Sequence, residues 1–129
     1  MKVLLDTHFV LWVSIEQSRL SAAAIDFLNS AEVQPWFSVA SIWEIAIKTG
    51  LRRPAFQVDV AQLRLNLFDN GYSELEITSA HAMAVADLPP IHRDPFDRLL
   101  VAQATVEGIQ LLTSDTTLAR YPGPIRHFG

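Results

Sequence analysis

A chain of 129 residues, half of them hydrophobic and 19% charged, fits one compact domain over residues 1–129 with a single buried core. The net charge of −4 excludes a protein that grips nucleic acid by covering phosphates with a broadly basic face, while leaving room for a basic rim around an acidic pocket. With no cysteine, thiol nucleophiles, thiolate zinc sites and disulfides are excluded together.

In chain order, the apolar run at 2–6 (KVLLD) predicts a buried strand that stops at Asp6, and 7–16 (THFVLWVSIE) repeats apolar residues at helical spacing. Asp6 and His8 break the apolar start and no small-residue cleavage site follows, so no leader peptide is expected. No apolar run approaches the roughly 20 residues of a membrane span, and a soluble cytoplasmic protein is the expectation. Ser21 opens a second, alanine-rich helix, and 34–40 (QPWFSVA) reads as a strand. Residues 41–50 (SIWEIAIKTG) predict a helix with Ser41 as its cap and Gly50 just past its end.

A helix is expected over 60–71, a strand over 73–77, and a helix over 78–90 that Thr78 caps and Pro89 and Pro90 stop. Asp94-Pro95 is a standard helix entry into 96–108, which ends at Gly108. Residues 109–115 (IQLLTSD) predict another buried strand stopping at an acid, 116–120 a short helical turn, and 124–128 a last edge strand. Strands alternating with helices predict an α/β fold of three layers, with a mainly parallel sheet of four or five strands flanked by helices. Ligands in such folds bind outside the carboxyl ends of the strands.

Acids recur at that edge. Asp6 and Asp115 follow apolar strands, Glu44 lies in the first turn of a helix that follows a strand, and Asp94 and Asp97 open another helix. Each also has a purely structural reading. Ser41 and Glu44 match a Ser-x-x-Glu capping box, Asp6 and Asp115 suit helix caps, and Asp97 near a helix start gains ~0.3–1 kcal/mol from the dipole. Taken together, carboxylates about 4 Å apart would repel by ~4 kcal/mol per pair at an effective dielectric of 20. Protonation or a cation must relieve that, and Mg²⁺ or Mn²⁺ with oxygen ligands does so most directly. The chemistry implied is phosphodiester hydrolysis, with the cation activating water and neutralising charge on the scissile phosphate.

LLDTHFVLW, SIWEIAIK, HRDPFDRLLVAQA and LLTSD, in this order from residue 2 to about 122, resemble a PIN domain and, more narrowly, the VapC-type toxins of bacterial type II toxin–antitoxin systems. The resemblance implies a Mg²⁺- or Mn²⁺-dependent endoribonuclease with Asp6, Glu44, Asp97 and Asp115 holding the metal. It also implies that Asp94 contributes through water or from behind those acids, and that the hydroxyls of Thr7 and Ser114 orient carboxylates or waters. An antitoxin whose tail enters the acidic pocket and supplies an arginine, and homodimerisation through a helical face, are the partners it implies. Arg93, Arg98, Lys48 and His92 are candidates to meet RNA, with Arg52 and Arg53 extending the track; Lys48, four residues after Glu44, equally suits a helix ion pair. Trp12, Trp36 and Trp43 are expected in the core, and the four histidines show no zinc-ligand spacing.

Other functions remain open on the residues alone. An aspartyl-phosphate phosphatase would want a second acid at position 8, which is His8. A receiver-like Mg²⁺-binding signalling module would want a lysine after a late strand, and the only lysines are Lys2 and Lys48. A catalytically inactive or regulatory PIN-like binding domain would keep the acids merely to grip a partner.

Overall fold

A computed structural model describes residues 1–51 and 57–129. In chain order it comprises β1 (Lys2–Leu5), α1 (Thr7–Ser14), α2 (Ala22–Asn29), β2 (Gln34–Ser38), α3 (Val39–Gly50), α4 (Val60–Asp69), β3 (Ser73–Leu75), α5 (Ser79–Ala84), α6 (Pro95–Glu107), β4 (Gln110–Thr113) and β5 (Ile125–His127). The five strands form one sheet in the order β3-β2-β1-β4-β5, and every neighbouring pair is parallel. The expected three-layer α/β architecture is present, and 124–128 does supply the edge strand.

Alternation along the central strands explains the layers. Val3, Leu5 and Leu112 point to one face, where Phe9 of α1, Ile45 of α3 and Leu63 and Leu67 of α4 cover them. Leu4 and Leu111 point to the other, against Leu100, Val101 and Ala104 of α6. A central strand buried on both faces reads as a continuous apolar run, which is why KVLL and QLL carry no polar alternation. Each fully buried leucine contributes roughly 1.5–3 kcal/mol.

Several boundaries differ from expectation, and strand β3 ends at Leu75 rather than at residue 77. The helix after β2 starts at Val39, with Ser38 as its cap: Ser38 Oγ accepts from the Ala40 N–H (2.9 Å) and donates to Gln103 Oε1 (2.6 Å). Strand passes to helix without a loop, so Ser41 falls inside the first turn and cannot cap it. The segment 78–90 divides into α5 and a 3₁₀ turn at Val85–Asp87, because Pro89 and Pro90 disfavour helix in the residues before them. Strand β4 stops at Thr113, two residues before the acid.

Thr78 does cap α5, and the reciprocal partner is a histidine. His81 Nδ1 accepts from the Thr78 N–H (3.0 Å), Thr78 Oγ1 accepts from the His81 N–H (3.2 Å), and His81 Nε2 donates to Glu107 of α6 (2.8 Å). At the end of α6, Gly108 takes the left-handed conformation (φ 68°) that a C-terminal cap requires.

Leu111 lies in the central β1–β4 pair, opposite Leu4. Replacing Leu111, which has no exposed surface, by alanine should cost ~2–5 kcal/mol, read as a lower urea midpoint at unchanged slope.

Candidate metal centre

The carboxyl ends of β1, β2 and β4 lie side by side, and the candidate acids follow from them. Asp6 is the first residue past β1 and caps α1, accepting from the Phe9 N–H (2.9 Å); its other oxygen accepts from Thr113 Oγ1 (2.6 Å) at the end of β4. The residue is buried, and burial raises its pKa, with Asp115 adding to the rise and the Thr113 and Phe9 hydrogen bonds and His8 opposing it. Thr113, in turn, accepts from the Asp115 N–H (3.0 Å). One hydroxyl thus joins the acids that follow two neighbouring strands.

Glu44 reaches the same edge from α3. Thr7 Oγ1 donates to its Oε1 (2.7 Å) and Lys48 Nζ lies 2.9 Å from its Oε2. Ser41 Oγ bonds Thr7 Oγ1 (2.9 Å). The expected capping box of Ser41 with Glu44 is therefore absent: both side chains turn from the helix end to the buried hydroxyl of Thr7. Lys48 makes the helix ion pair that its spacing allowed.

Asp94 caps α6 through the N–H groups of Phe96 (2.8 Å) and Asp97 (3.1 Å). Asp97, one turn in, faces His92 and Asp115. His92 Nε2 lies 3.1 Å from Asp115 Oδ2 and 3.3 Å from Asp97 Oδ2, and one donor atom from each of the three lies within 4.8 Å of the others. Burial, followed by the charges of Asp94, Glu44 and Asp6, pushes the Asp97 pKa up to about 7, against the opposing pull of His92. Burial also works to raise Asp115, but bonds from the Thr117 N–H, His92 and the Leu118 N–H hold it below the usual range. Two acids that share one histidine thus differ in protonation tendency.

The structure accordingly brings Asp6, Glu44, Asp97 and Asp115 to one edge, with Asp94 behind Asp97. Thr7 stands among them as expected, whereas the hydroxyl beside Asp6 on the β4 side belongs to Thr113; Ser114 accepts on its backbone oxygen from His127 (3.1 Å). Thr113 was hidden in the sequence because a threonine inside an apolar strand reads as strand propensity alone. His92 carries far more contact than its lone position suggested.

The basic candidates separate. Arg93 is exposed and unpaired among the described residues. The Arg98 guanidinium donates to Pro89 O (3.1 Å), Tyr121 Oη (3.1 Å) and Val85 O (3.2 Å), so it ties the approach to α6 in place with both Nη groups engaged within the chain. Arg52 and Arg53 lie outside the described residues. Trp43 is a correction. It is 55% exposed rather than in the core, and packs edge-on against Phe96 with ring centroids 5.0 Å apart.

A five-stranded parallel sheet flanked by helices, with carboxylates gathered on its carboxyl edge, defines an α/β protein with an acidic pocket. The PIN domain family model matches residues 3–124, and the chain belongs to that family. Ribonuclease VapC22 of Mycobacterium tuberculosis (strain ATCC 25618 / H37Rv) is 33% identical over 127 residues, 95% of each chain. Among solved structures, VapBC2 from Rickettsia felis bound to a DNA fragment from its promoter superposes with a TM-score of 0.73 at 13% identity, over 98% of both chains. DNA-bound VapBC from Salmonella typhimurium does so with 0.69 at 14% identity, again over 98% of both. These likenesses bear out the family resemblance and the fold.

The raised pKa of Asp97 has a sign. Between about pH 4 and about pH 7 the folded chain holds a proton on Asp97 that the unfolded chain has released, so this residue makes stability fall as pH rises through that window. In the cation-free protein, Asp97→Asn should flatten that slope and raise the melting temperature at pH 8, measured by calorimetry across pH 4–8.

Proposed function

We propose that this protein is a divalent-cation-dependent endoribonuclease acting in the cytoplasm as the toxin of a type II toxin–antitoxin module. The observation that carries the proposal is the convergence of Asp6, Glu44, Asp97 and Asp115 on one sheet edge, where burial first and neighbouring acid charges second push Asp97 to about 7. The donor set consists of carboxylate oxygens, which suits Mg²⁺ or Mn²⁺ rather than a softer ion. PIN membership and the similarity to a named VapC ribonuclease support the same reading.

In this reading, Asp6, Glu44, Asp97 and Asp115 hold the cation. When bound, it supplies charge neutralisation at the scissile phosphate and lowers the pKa of an attacking water. The chain's own groups supply geometry. Thr113 fixes one oxygen of Asp6, Thr7 fixes one of Glu44, and Asp94 holds the first turn of α6 so that Asp97 faces the site. Ser114 beside Asp115 is a further candidate for orienting water. Exposed Arg93 and half-exposed Lys48 border the acids and would meet the RNA backbone, whereas both ring nitrogens of His92 are engaged within the chain.

The antitoxin reading rests on a groove of about 640 Å³ lined by His8, Leu11, Trp12, Ile15, Val58 and Asp115, among others. Its apolar wall along α1 and its acidic end suit an amphipathic segment that presents an arginine to Asp115. The similar VapBC structures are toxin–antitoxin complexes by name, which supports a partner of this kind. For the homodimer, Trp43, Ile47 and Leu51 form an i, i+4, i+8 stripe on α3 and just past its end, 55%, 41% and 59% exposed. A second copy would cover it.

Purified protein should cut RNA with Mg²⁺ or Mn²⁺ and stop in EDTA. Asp6→Ala and Asp97→Ala should abolish cleavage and growth arrest, while Thr113→Val should lower cleavage by about 10–100-fold, the usual cost of removing a group that orients a ligand. Growth arrest that survives Asp6→Ala would favour a non-catalytic binding role, and cleavage undiminished in EDTA would remove the cation from the mechanism. For the dimer, Ile47→Asp should convert the protein to a monomer by light scattering; an unchanged mass would place the interface elsewhere.

A further inference from the structure

His92 is fixed on three sides. Its backbone N–H donates to Tyr121 Oη (2.9 Å), its Nδ1 accepts from the Asp94 N–H (3.0 Å), and its Nε2 faces Asp115 Oδ2 and Asp97 Oδ2 at 3.1 and 3.3 Å. A neutral imidazole has one N–H and one lone pair. Because the Asp94 N–H occupies the lone pair of Nδ1, the proton belongs on Nε2, where it bonds Asp115 Oδ2 while Asp97 Oδ2 stands 3.3 Å from the same nitrogen. An Nε2 that carries a proton has no lone pair to give a metal. The carboxylate oxygens it faces are nevertheless the ones a cation would want, since the three donor atoms lie within 4.8 Å of one another.

We propose that His92 is a positioning residue and not a ligand: its Nε2–H holds the facing oxygens of Asp97 and Asp115 together in the cation-free pocket and yields them when a divalent cation binds. The inference rests on the cation reading above. It separates two arrangements of one cluster that composition alone cannot. As a ligand, His92 would add affinity, so its loss would weaken binding. As a donor competing for the same oxygens, it opposes binding, and its loss frees the oxygens and leaves the two charges facing each other without a proton between them. The two roles therefore carry opposite signs.

The backbone bond from Asp94 gives this device its rigidity. Asp94 caps α6 with its side chain and sets the His92 tautomer with its own N–H, so the segment that starts the helix also aims the donor. Glutamine at 92 would retain an N–H near the position of Nε2, whereas alanine would retain none.

The test is titration of the purified chain with Mn²⁺ alone, at fixed pH 8, by calorimetry and by the electron paramagnetic resonance of free Mn²⁺. His92→Ala should bind about tenfold more tightly than wild type, equivalent to ~1.4 kcal/mol, and His92→Gln should stay near wild type. In the metal-free wild type, nitrogen NMR should show the proton on Nε2 of His92, and saturation with Mg²⁺ should shift that signal while leaving it protonated. Equal or weaker Mn²⁺ binding by His92→Ala, or loss of the Nε2 proton on adding Mg²⁺, would overturn the positioning role while leaving the cation reading intact. No Mn²⁺ binding by wild type would overturn both. Should His92→Ala not fold, the glutamine variant and the wild-type NMR decide between the same outcomes, with a proton found on Nδ1 counting against the proposal.

Discussion

Repulsion among carboxylates gathered at one sheet edge is the constraint to which the surroundings of this site answer. A like-charged pair about 4 Å apart costs ~4 kcal/mol at an effective dielectric of 20, against ~0.3–1 kcal/mol gained by an acid at a helix start. Asp97 displays the balance: it sits in the first turn of α6, yet burial and the charges of Asp94, Glu44 and Asp6 push its pKa up to about 7. The helix end loses to burial and the cluster together. Asp115, less buried and served by two backbone N–H groups and His92, goes the other way. The edge therefore keeps its acids by supplying donors where it can and tolerating a proton where it cannot.

The donors are hydroxyls and N–H groups drawn from neighbouring elements, and this couples the site to the fold. Thr113 ends β4 and bonds Asp6, which follows β1; Thr7 opens α1 and bonds Glu44 on α3. Parallel registration of β1 with β4 and β2, through Leu5 opposite Leu112 and Leu4 opposite Trp36, brings these positions level. A one-residue slip of β4 would turn its alternating side chains to the opposite faces, moving Leu111, Leu112 and Thr113 together. Core packing and site assembly are enforced by the same register.

Much of this was legible in the sequence because apolar strands that stop at acids leave a visible mark. Asp6, Glu44, Asp94, Asp97 and Asp115 could be picked out as acids of one edge from their order, with the family resemblance singling out all but Asp94, and the alternating β/α layers and the cap Asp94 were legible too. What was hidden depends on where a side chain goes once the backbone is set. Ser41 and Glu44 match a capping box letter for letter, but β2 runs into α3 without a loop, Ser38 takes the cap, and both residues turn to Thr7. Arg98 lies beside an acid in sequence, but its long stem carries the guanidinium to the carbonyls of Pro89 and Val85. Trp43 sits on a helix with a buried face, and the 100° step from Glu44 places it outside.

The segment from His92 to Asp97 shows why structural and chemical readings of the same residues need not compete. Asp94 satisfies the N–H groups of Phe96 and Asp97, a requirement of any helix start, and substitution of such a cap typically costs ~0.5–2 kcal/mol. That same bond orients the Asp97 backbone, and the Asp94 N–H fixes the His92 ring that reaches Asp97 and Asp115. A device needed for helix formation thus fixes the direction of a carboxylate and of its hydrogen-bond partner with no additional residues. The arrangement is economical only because the acids lie within one turn of the helix end, where the backbone has N–H groups to spare; an Asp97 displaced to mid-helix would find its neighbours' N–H groups already committed to carbonyls four residues back.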